Sequence, residues 1–143
     1  MVANPIKSRY APALVRLFYI SEIVGSISQT EVQVILGASL INNRRLDVTG
    51  MIAQSDGHFA QILEGRTVDI DVLMARIRRD PLHRDVRVIL QEPIARRQFA
   101  RWAMGLIRRD DLVNELRAWH QGAAPVDLDE AHDMIRRLYP TEH

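Results

Sequence analysis

Five polar or electron-rich side chains stand out in this sequence as the residues best able to do chemistry. Gln61 is an amide inside the otherwise apolar run of residues 58–65, and it is buried if both faces of that run are covered. A buried amide without partners destabilises a fold by about 1–3 kcal/mol, so Gln61 needs hydrogen-bonding neighbours. Taken singly, the others have ordinary explanations as core residues or a helix cap. Together they add a phenol, a second amide, an indole and a thioether: Tyr19, Asn43, Trp102 and Met104.

The spacing of apolar residues predicts the elements that must position these side chains. One helix should begin at a capping box, where Ser28 and Glu31 satisfy free amides, and should end near Asn43. A second helix should be capped by Thr67 and end at Asp80, because a residue that precedes proline disfavours helix. The predicted strands cover residues 14–21, 48–54, 58–65, 86–94 and 99–107.

The order of these elements predicts a fold. Strand, helix, strand, strand, helix, strand is the βαββαβ plan of a ferredoxin-like α+β domain, here with a five-stranded sheet and two flanking helices. The first and third strands are neighbours in that plan, which would bring Tyr19 within reach of Gln61. Trp102 and Met104, two residues apart, should share one face of the last strand.

Two amphipathic helices should follow the last strand, capped by Asp110 and Asp127. Both need an apolar surface, so we expect them to cover the free face of the sheet or to meet a second chain. The chain then divides into a flexible segment over residues 1–12, a core domain over 13–108 and a helical extension over 109–143.

Composition narrows the function classes. The 143 residues fit one domain, and 47% hydrophobic with 26% charged residues is typical of a globular protein. The lack of cysteine excludes disulfides and thiolate metal sites, no other metal site is predicted, and a net charge of +1 does not favour nucleic acid. No apolar stretch approaches the ~20 residues that cross a bilayer, and the N-terminus lacks a signal-peptide core. We therefore expect a cytoplasmic protein without a membrane or nucleic-acid partner.

The five side chains and their surroundings resemble the BLUF family, blue-light sensors that use flavin. The separations from Tyr19 to the other four residues agree with that family, and the resemblance covers about residues 14–108. One departure is Ala103, where the family often has serine. The matching stretches are residues 17–21, 39–43, 48–52, 55–65, 80–83 and 97–104.

The resemblance implies FAD, with FMN possible, bound non-covalently between the first two helices. Apolar side chains would hold the ring, and amides would bind its polar edge, with Asn43 on the pyrimidine ring and Asn42 on the flavin side chain. Residues at the end of the second helix are candidates for the ring edge, ribityl chain or phosphate. The implied cofactor-binding residues are Tyr19, Ile35, Ser39, Asn42, Asn43, Gln61, Arg76, Ile77, Asp80 and His83.

The resemblance also implies a light switch rather than an enzyme. Light would move an electron and a proton from Tyr19 toward the flavin through Gln61, which would end rotated or as its imidic tautomer. Trp102 and Met104 could exchange places near Gln61 and pass the change to the tail helices. The expected partners are a separate effector protein and a second copy of the chain.

Three other functions remain open on the sequence. One is a light-inactive BLUF-like interaction module. Another is an acylphosphatase-like hydrolase on the same fold, although no glycine-rich phosphate loop lies near the first strand. The third is an RNA-binding sheet, which needs exposed aromatics and a basic face; Tyr19 and Phe59 are present, but the glycine-aromatic pattern is absent. An absorption spectrum separates these classes.

Overall fold

A computed structural model of the chain describes residues 13–25, 28–81, 83–122 and 125–139. The predicted flexible segment, residues 1–12, lies outside the described residues. Five strands form one sheet: β1 Leu14–Ile23, β2 Thr49–Ser55, β3 His58–Arg66, β4 His83–Ile94 and β5 Gly105–Arg108. Four α-helices accompany them within the described residues: α1 Gln29–Arg45, α2 Thr67–Arg79, α3 Val113–Gln121 and α4 Leu128–Leu138.

The sheet has the strand order β4-β1-β3-β2-β5, which confirms the predicted ferredoxin-like α+β fold. Strand β1 pairs antiparallel with β3 and β4, the central strand β3 also pairs antiparallel with β2, and β5 joins β2 in parallel. Tyr19 on β1 lies directly opposite Gln61 on β3, and Ile52 on β2 lies opposite Gln61 on its other side. Gln61 is therefore at the centre of the sheet.

Alternation along the strands divides the core into two layers. Tyr19, Phe59 and Leu63 point to the face covered by α1 and α2, which we call the cleft face. Phe18 and Ile62 point to the opposite face, which we call the tail face. The tail face is covered by α3 and α4 and by the residues leading into them. Four of the residues that pack on it are fully buried: Leu112, Leu116, Met134 and Leu138.

Burying one large apolar side chain stabilises a fold by about 1.5–3 kcal/mol. The tail helices thus form part of the folded core and cover the free sheet face, the first of the two arrangements that the sequence left open. Within the described residues, no helix has both the length and the apolar character needed to cross a membrane.

The predicted fifth strand is too long. Only Gly105–Arg108 is a strand, and the residues before it form turns, with the Trp102 N–H donating to the Phe99 carbonyl. Trp102 and Met104 consequently do not share a strand face, because the two-residue period applies only to extended backbone. Met104 packs on the cleft face and Trp102 on the tail face.

Gly105 allows this segment to lie close against β2. A Cβ atom on Gly105 would meet the Met51 sulfur at 2.7 Å, so the end of the Met51 side chain would have to move to admit a side chain there. The Gly50 N–H donates to the Trp102 carbonyl at 3.0 Å and fixes the same contact.

Two of the four predicted helix caps are confirmed. Ser28 Oγ accepts from the Glu31 N–H at 3.1 Å and Glu31 Oε1 accepts from the Ser28 N–H at 3.2 Å, which completes the capping box. Asp127 accepts from the Asp129 N–H at 2.8 Å at the start of α4.

The other two caps are wrong. Thr67 is already the first residue of α2, and the preceding Arg66 makes no side-chain cap bond. Asp110 begins a 3₁₀ turn, Asp110–Leu112, and α3 starts only at Val113. The Asp110 carboxylate instead accepts from the Arg108 guanidinium at 3.2 Å.

Candidate functional site

A buried hydrogen-bonded chain of three side chains lies at the centre of the cleft face. The Tyr19 hydroxyl donates to Gln61 Oε1, and Gln61 Nε2 donates to the Met104 sulfur at 3.4 Å. Tyr19 is fully buried, and Gln61 and Met104 are 4% and 5% exposed. Both ends of the Gln61 amide thus have partners, which explains how an apolar strand tolerates it.

Burial also controls the protonation of Tyr19. Removal from water disfavours the phenolate, and the Asp80 carboxylate adds a like charge, so the pKa of Tyr19 is raised far above its ordinary value. The phenol therefore stays protonated and acts as the donor in its bond to Gln61.

A cleft opens beside Gln61, between α1 and α2 and above β2 and β3. The cleft is partly open to solvent. Every predicted cofactor-binding residue except Tyr19 lines it, and Tyr19 lies behind Gln61. The polar lining residues are Ser39, Asn42, Asn43, Gln61, Arg76, Asp80 and His83, and the larger apolar ones are Ile35, Ile52, Leu63, Leu73 and Ile77.

Asn43 connects α1 to the segment that carries Met104. Its side chain is 2% exposed, and Nδ2 donates to the Ala103 carbonyl at 2.7 Å. This contact uses the backbone of residue 103, so alanine supports it as well as serine would. The sequence did not predict the contact, because Asn43 and Ala103 are distant in the chain.

His83 is held at the rim of the cleft. Its Nδ1 lies 2.8 Å from Ser21 Oγ, and its ring packs 5.3 Å from the Phe59 ring. Burial lowers the pKa of His83 while the Asp80 carboxylate acts in the opposite direction, so the ring is neutral near pH 7. Arg76, in the last turn of α2, is exposed at the same rim.

Trp102 lies away from this cleft, on the tail face. Its ring meets that of Tyr139 edge-on at 5.5 Å, and it also contacts Phe99 at 6.3 Å. Tyr139 is the residue at which α4 ends. The sequence analysis missed Tyr139, since no local pattern shows that the end of α4 returns to the segment before β5.

The lining suits a flat heteroaromatic group with a polar edge and a charged tail. Apolar side chains form the walls, amides at Asn42, Asn43 and Gln61 offer both donors and acceptors, and Arg76 offers a cation at the rim. These are the donor types that a flavin ring edge and phosphate require, so the residues present fit a flavin.

This sheet and cleft define an α+β domain with a cleft between two helices that flank one face of the sheet. A family model described as BLUF, "Sensors of blue-light using FAD", matches residues 14–105. The match covers more than half of the chain, and the chain belongs to the BLUF family.

Curated relatives share this part of the chain. It is 33% identical over 92 residues to photoactivated adenylate cyclase subunit beta of Euglena longa, covering 64% of this chain and 11% of that protein. It is 33% identical over 64 residues to photoactivated adenylate cyclase subunit alpha of Euglena gracilis, covering 45% of this chain and 6% of that protein. The chain therefore spans a small fraction of the curated relatives it matches.

Solved structures agree in fold. BlrB, a BLUF protein in its dark state, has a TM-score of 0.71 at 29% identity, covering 90% of this chain and 98% of that one. A bacterial light-regulated adenylyl cyclase gives 0.65 at 29% identity, covering 87% and 36%. The photo-activated state of BlsA gives 0.76 at 20% identity, covering 91% and 97%, and shows the shared fold alone.

Proposed function

We propose that this protein is a blue-light photoreceptor that holds flavin non-covalently between α1 and α2 and signals through its C-terminal helices. The observation that carries the proposal is the position of the Gln61 amide. It lines the cleft while its oxygen accepts from the buried Tyr19 hydroxyl and its nitrogen donates to Met104.

The cleft residues divide into three roles in this proposal. Ile35 and Ile77 pack against the faces of the ring, and Asn43 with Gln61 binds its polar edge. Ser39 and Asn42 bind the flavin side chain, and Arg76, Asp80 and His83 contact the ribityl chain or phosphate. The family description names FAD, whereas a related structure, Klebsiella pneumoniae BlrP1, was solved with FMN. Arg76 could pair with the phosphate of FMN or with a phosphate of FAD. We propose that the cofactor is FAD.

Bound flavin supplies a group that becomes a strong electron acceptor when it absorbs blue light. Tyr19 is the electron donor nearest to Gln61. Because its pKa is raised by burial, Tyr19 gives up its proton only when it also loses an electron. The hydrogen bond to Gln61 Oε1 provides the path for that proton. The electron and the proton both return to Tyr19 at the end of the cycle. No lasting change of charge remains.

The lasting change is in Gln61. If its amide rotates, the oxygen replaces the nitrogen opposite Met104, and two acceptors then face each other because a thioether cannot donate. The 3.4 Å contact with the Met104 sulfur is lost in that state. In an imidic tautomer, Oε1 would carry a proton and become a donor instead. We expect either form to alter the bond from Gln61 to the ring edge.

Met104 begins the route to the tail helices. It lies two residues from Trp102, the Ala103 carbonyl between them is held by Asn43, and Trp102 packs on Tyr139 at the end of α4. Release of Met104 would therefore shift the Trp102–Tyr139 contact. We propose that the resulting movement of α3 and α4 reaches an effector protein or a second copy of the chain, so that output is by contact and not by catalysis.

The test is optical. The purified protein should be yellow, and blue light should give a small, reversible red shift of the flavin bands. Tyr19→Phe should bind flavin and lose the shift, whereas the control Tyr139→Phe, on the opposite face of the sheet, should keep it. A colourless protein that does not take up FAD or FMN would contradict the proposal and favour a light-inactive module.

A further inference from the structure

Three side chains with metal-ligating atoms meet at one end of the sheet, on the tail face and away from the cleft. Glu22 on β1 is paired directly with His58 on β3, and His120 comes from the last turn of α3. One ligand atom from each lies within 4.8 Å of the other two. We call Glu22, His58 and His120 the histidine cluster. The sequence analysis predicted no metal site because the three residues belong to separate elements.

His58 has an unsatisfied ring nitrogen. The residue is only 7% exposed, and its Nδ1 has no hydrogen-bond partner among the described residues. Its ring meets that of His120 edge-on, with centroids 5.2 Å apart. A buried polar atom without a partner destabilises a fold, so a metal ligand on this nitrogen would remove that penalty.

The other two ligands have the spacing of a tetrahedral site. Glu22 Oε2 lies 3.6 Å from His120 Nδ1. Bonds of about 2.0–2.2 Å from a tetrahedral metal place its ligand atoms about 3.4 Å apart. Glu22 binds the Arg84 guanidinium through its other oxygen, Oε1, which leaves Oε2 available to a metal.

Asp85 supplies the outer carboxylate that such sites commonly have. His120 Nε2 lies 3.1 Å from Asp85 Oδ2 and 3.0 Å from the Asp85 carbonyl oxygen, so its Nδ1 is directed toward Glu22. A carboxylate on the far nitrogen fixes the ring orientation and makes the metal-facing nitrogen more basic. Asp85 reaches this position from a β-bulge in β4, where its φ is 54°.

We propose that Glu22, His58 and His120 bind a divalent transition metal of the zinc type, with Asp85 orienting His120. Two imidazoles and one carboxylate favour Zn²⁺ or a similar ion over Mg²⁺ and Ca²⁺, which prefer oxygen ligands. Three protein ligands leave a fourth position for water. The bound ion connects β1, β3 and the end of α3, so it holds a tail helix against the sheet. The proposal goes beyond light sensing and does not depend on it.

The experiment uses the untagged full chain after removal of metal by EDTA. Equilibrium dialysis against ZnCl₂ with elemental analysis should give one zinc per chain, and MgCl₂ should give none. Glu22→Gln and His120→Gln should weaken zinc binding at least tenfold. Asp85→Asn should weaken it by about 10–100-fold, as outer carboxylates do. His132→Gln is the matched control, because His132 contacts Glu92 outside the cluster and should leave zinc binding unchanged.

The Asp85→Asn variant keeps the test decisive if substitution of a buried ligand unfolds the protein. Its side chain is 71% exposed, so Asp85→Asn should keep the circular dichroism and melting temperature of the metal-free protein. Zinc should raise the melting temperature of the wild type and of His132→Gln more than that of Asp85→Asn. Equal zinc binding by the wild type and by Glu22→Gln and Asp85→Asn would overturn the proposal, as would equal binding of Mg²⁺.

Discussion

Met104→Leu isolates the contribution of the sulfur that accepts from Gln61. Leucine nearly conserves the buried volume, so repacking alone should destabilise the fold by less than about 1.5 kcal/mol. Gln61 is only 4% exposed, and the substitution removes the sulfur that accepts from its Nε2 at 3.4 Å. An unpaired buried donor adds about 1–3 kcal/mol, although sulfur is a weak acceptor and the lower end of that range applies. We therefore expect a total loss of about 1–2.5 kcal/mol in the free energy of unfolding.

The assay is urea unfolding in the dark, with Met51→Leu as the control. Met51 is 1% exposed, and the structure gives its sulfur no hydrogen bond among the described residues, so only the repacking effect should appear there. A cycle with Gln61→Leu separates the pair, because Met104→Leu should show only the repacking effect once the amide is gone. If Met104→Leu matches Met51→Leu, or if the two substitutions are additive, Gln61 does not depend on this sulfur and the reasoning fails.

Three further predictions concern the connections of the site. Asn43→Ala removes the 2.7 Å bond to Ala103 and should weaken flavin binding at least tenfold by fluorescence titration, whereas Ala103→Ser should not, since the bond uses the backbone. Tyr139→Ala should keep the optical shift but abolish any light-dependent change in hydrogen exchange of α4, because it removes the contact with Trp102. Burial lowers the pKa of His83 against the opposing Asp80, so the unfolded chain takes up a proton near pH 6.5 that the folded chain resists. Stability should fall as the pH drops from 7 to 5, and His83→Gln should make that fall shallower.

The sequence predicted the features that depend on local chemistry. The Ser28–Glu31 capping box and the alternation that buries Gln61 follow from side-chain type and spacing. The pairing of the Gln61 strand with that of Tyr19 follows from the order of the elements, which fits a ferredoxin-like plan. The cleft lining was expected from the resemblance to the BLUF family and not from local spacing, and Ile35 and Ile77 do line the cleft.

Other features depend on contacts that local spacing does not encode. Trp102 and Met104 lie on opposite faces because turns before β5 and the close approach allowed by Gly105 replace the expected strand. The meeting of Tyr139 with Trp102 requires the path of α4 across the tail face. The histidine cluster joins two strands and a helix end, and a β-bulge places Asp85 beside it.

The reorientation of Gln61 is the central claim, and the light-minus-dark absorption spectrum of Gln61→Leu tests it most directly. Leucine fills the buried position with an apolar side chain that can neither accept from Tyr19 nor bind the ring edge. Gln91→Leu, on the exposed part of β4, is the control and should show the wild-type shift. The account predicts that Gln61→Leu binds flavin and shows no reversible red shift. An unchanged photocycle in Gln61→Leu would contradict it.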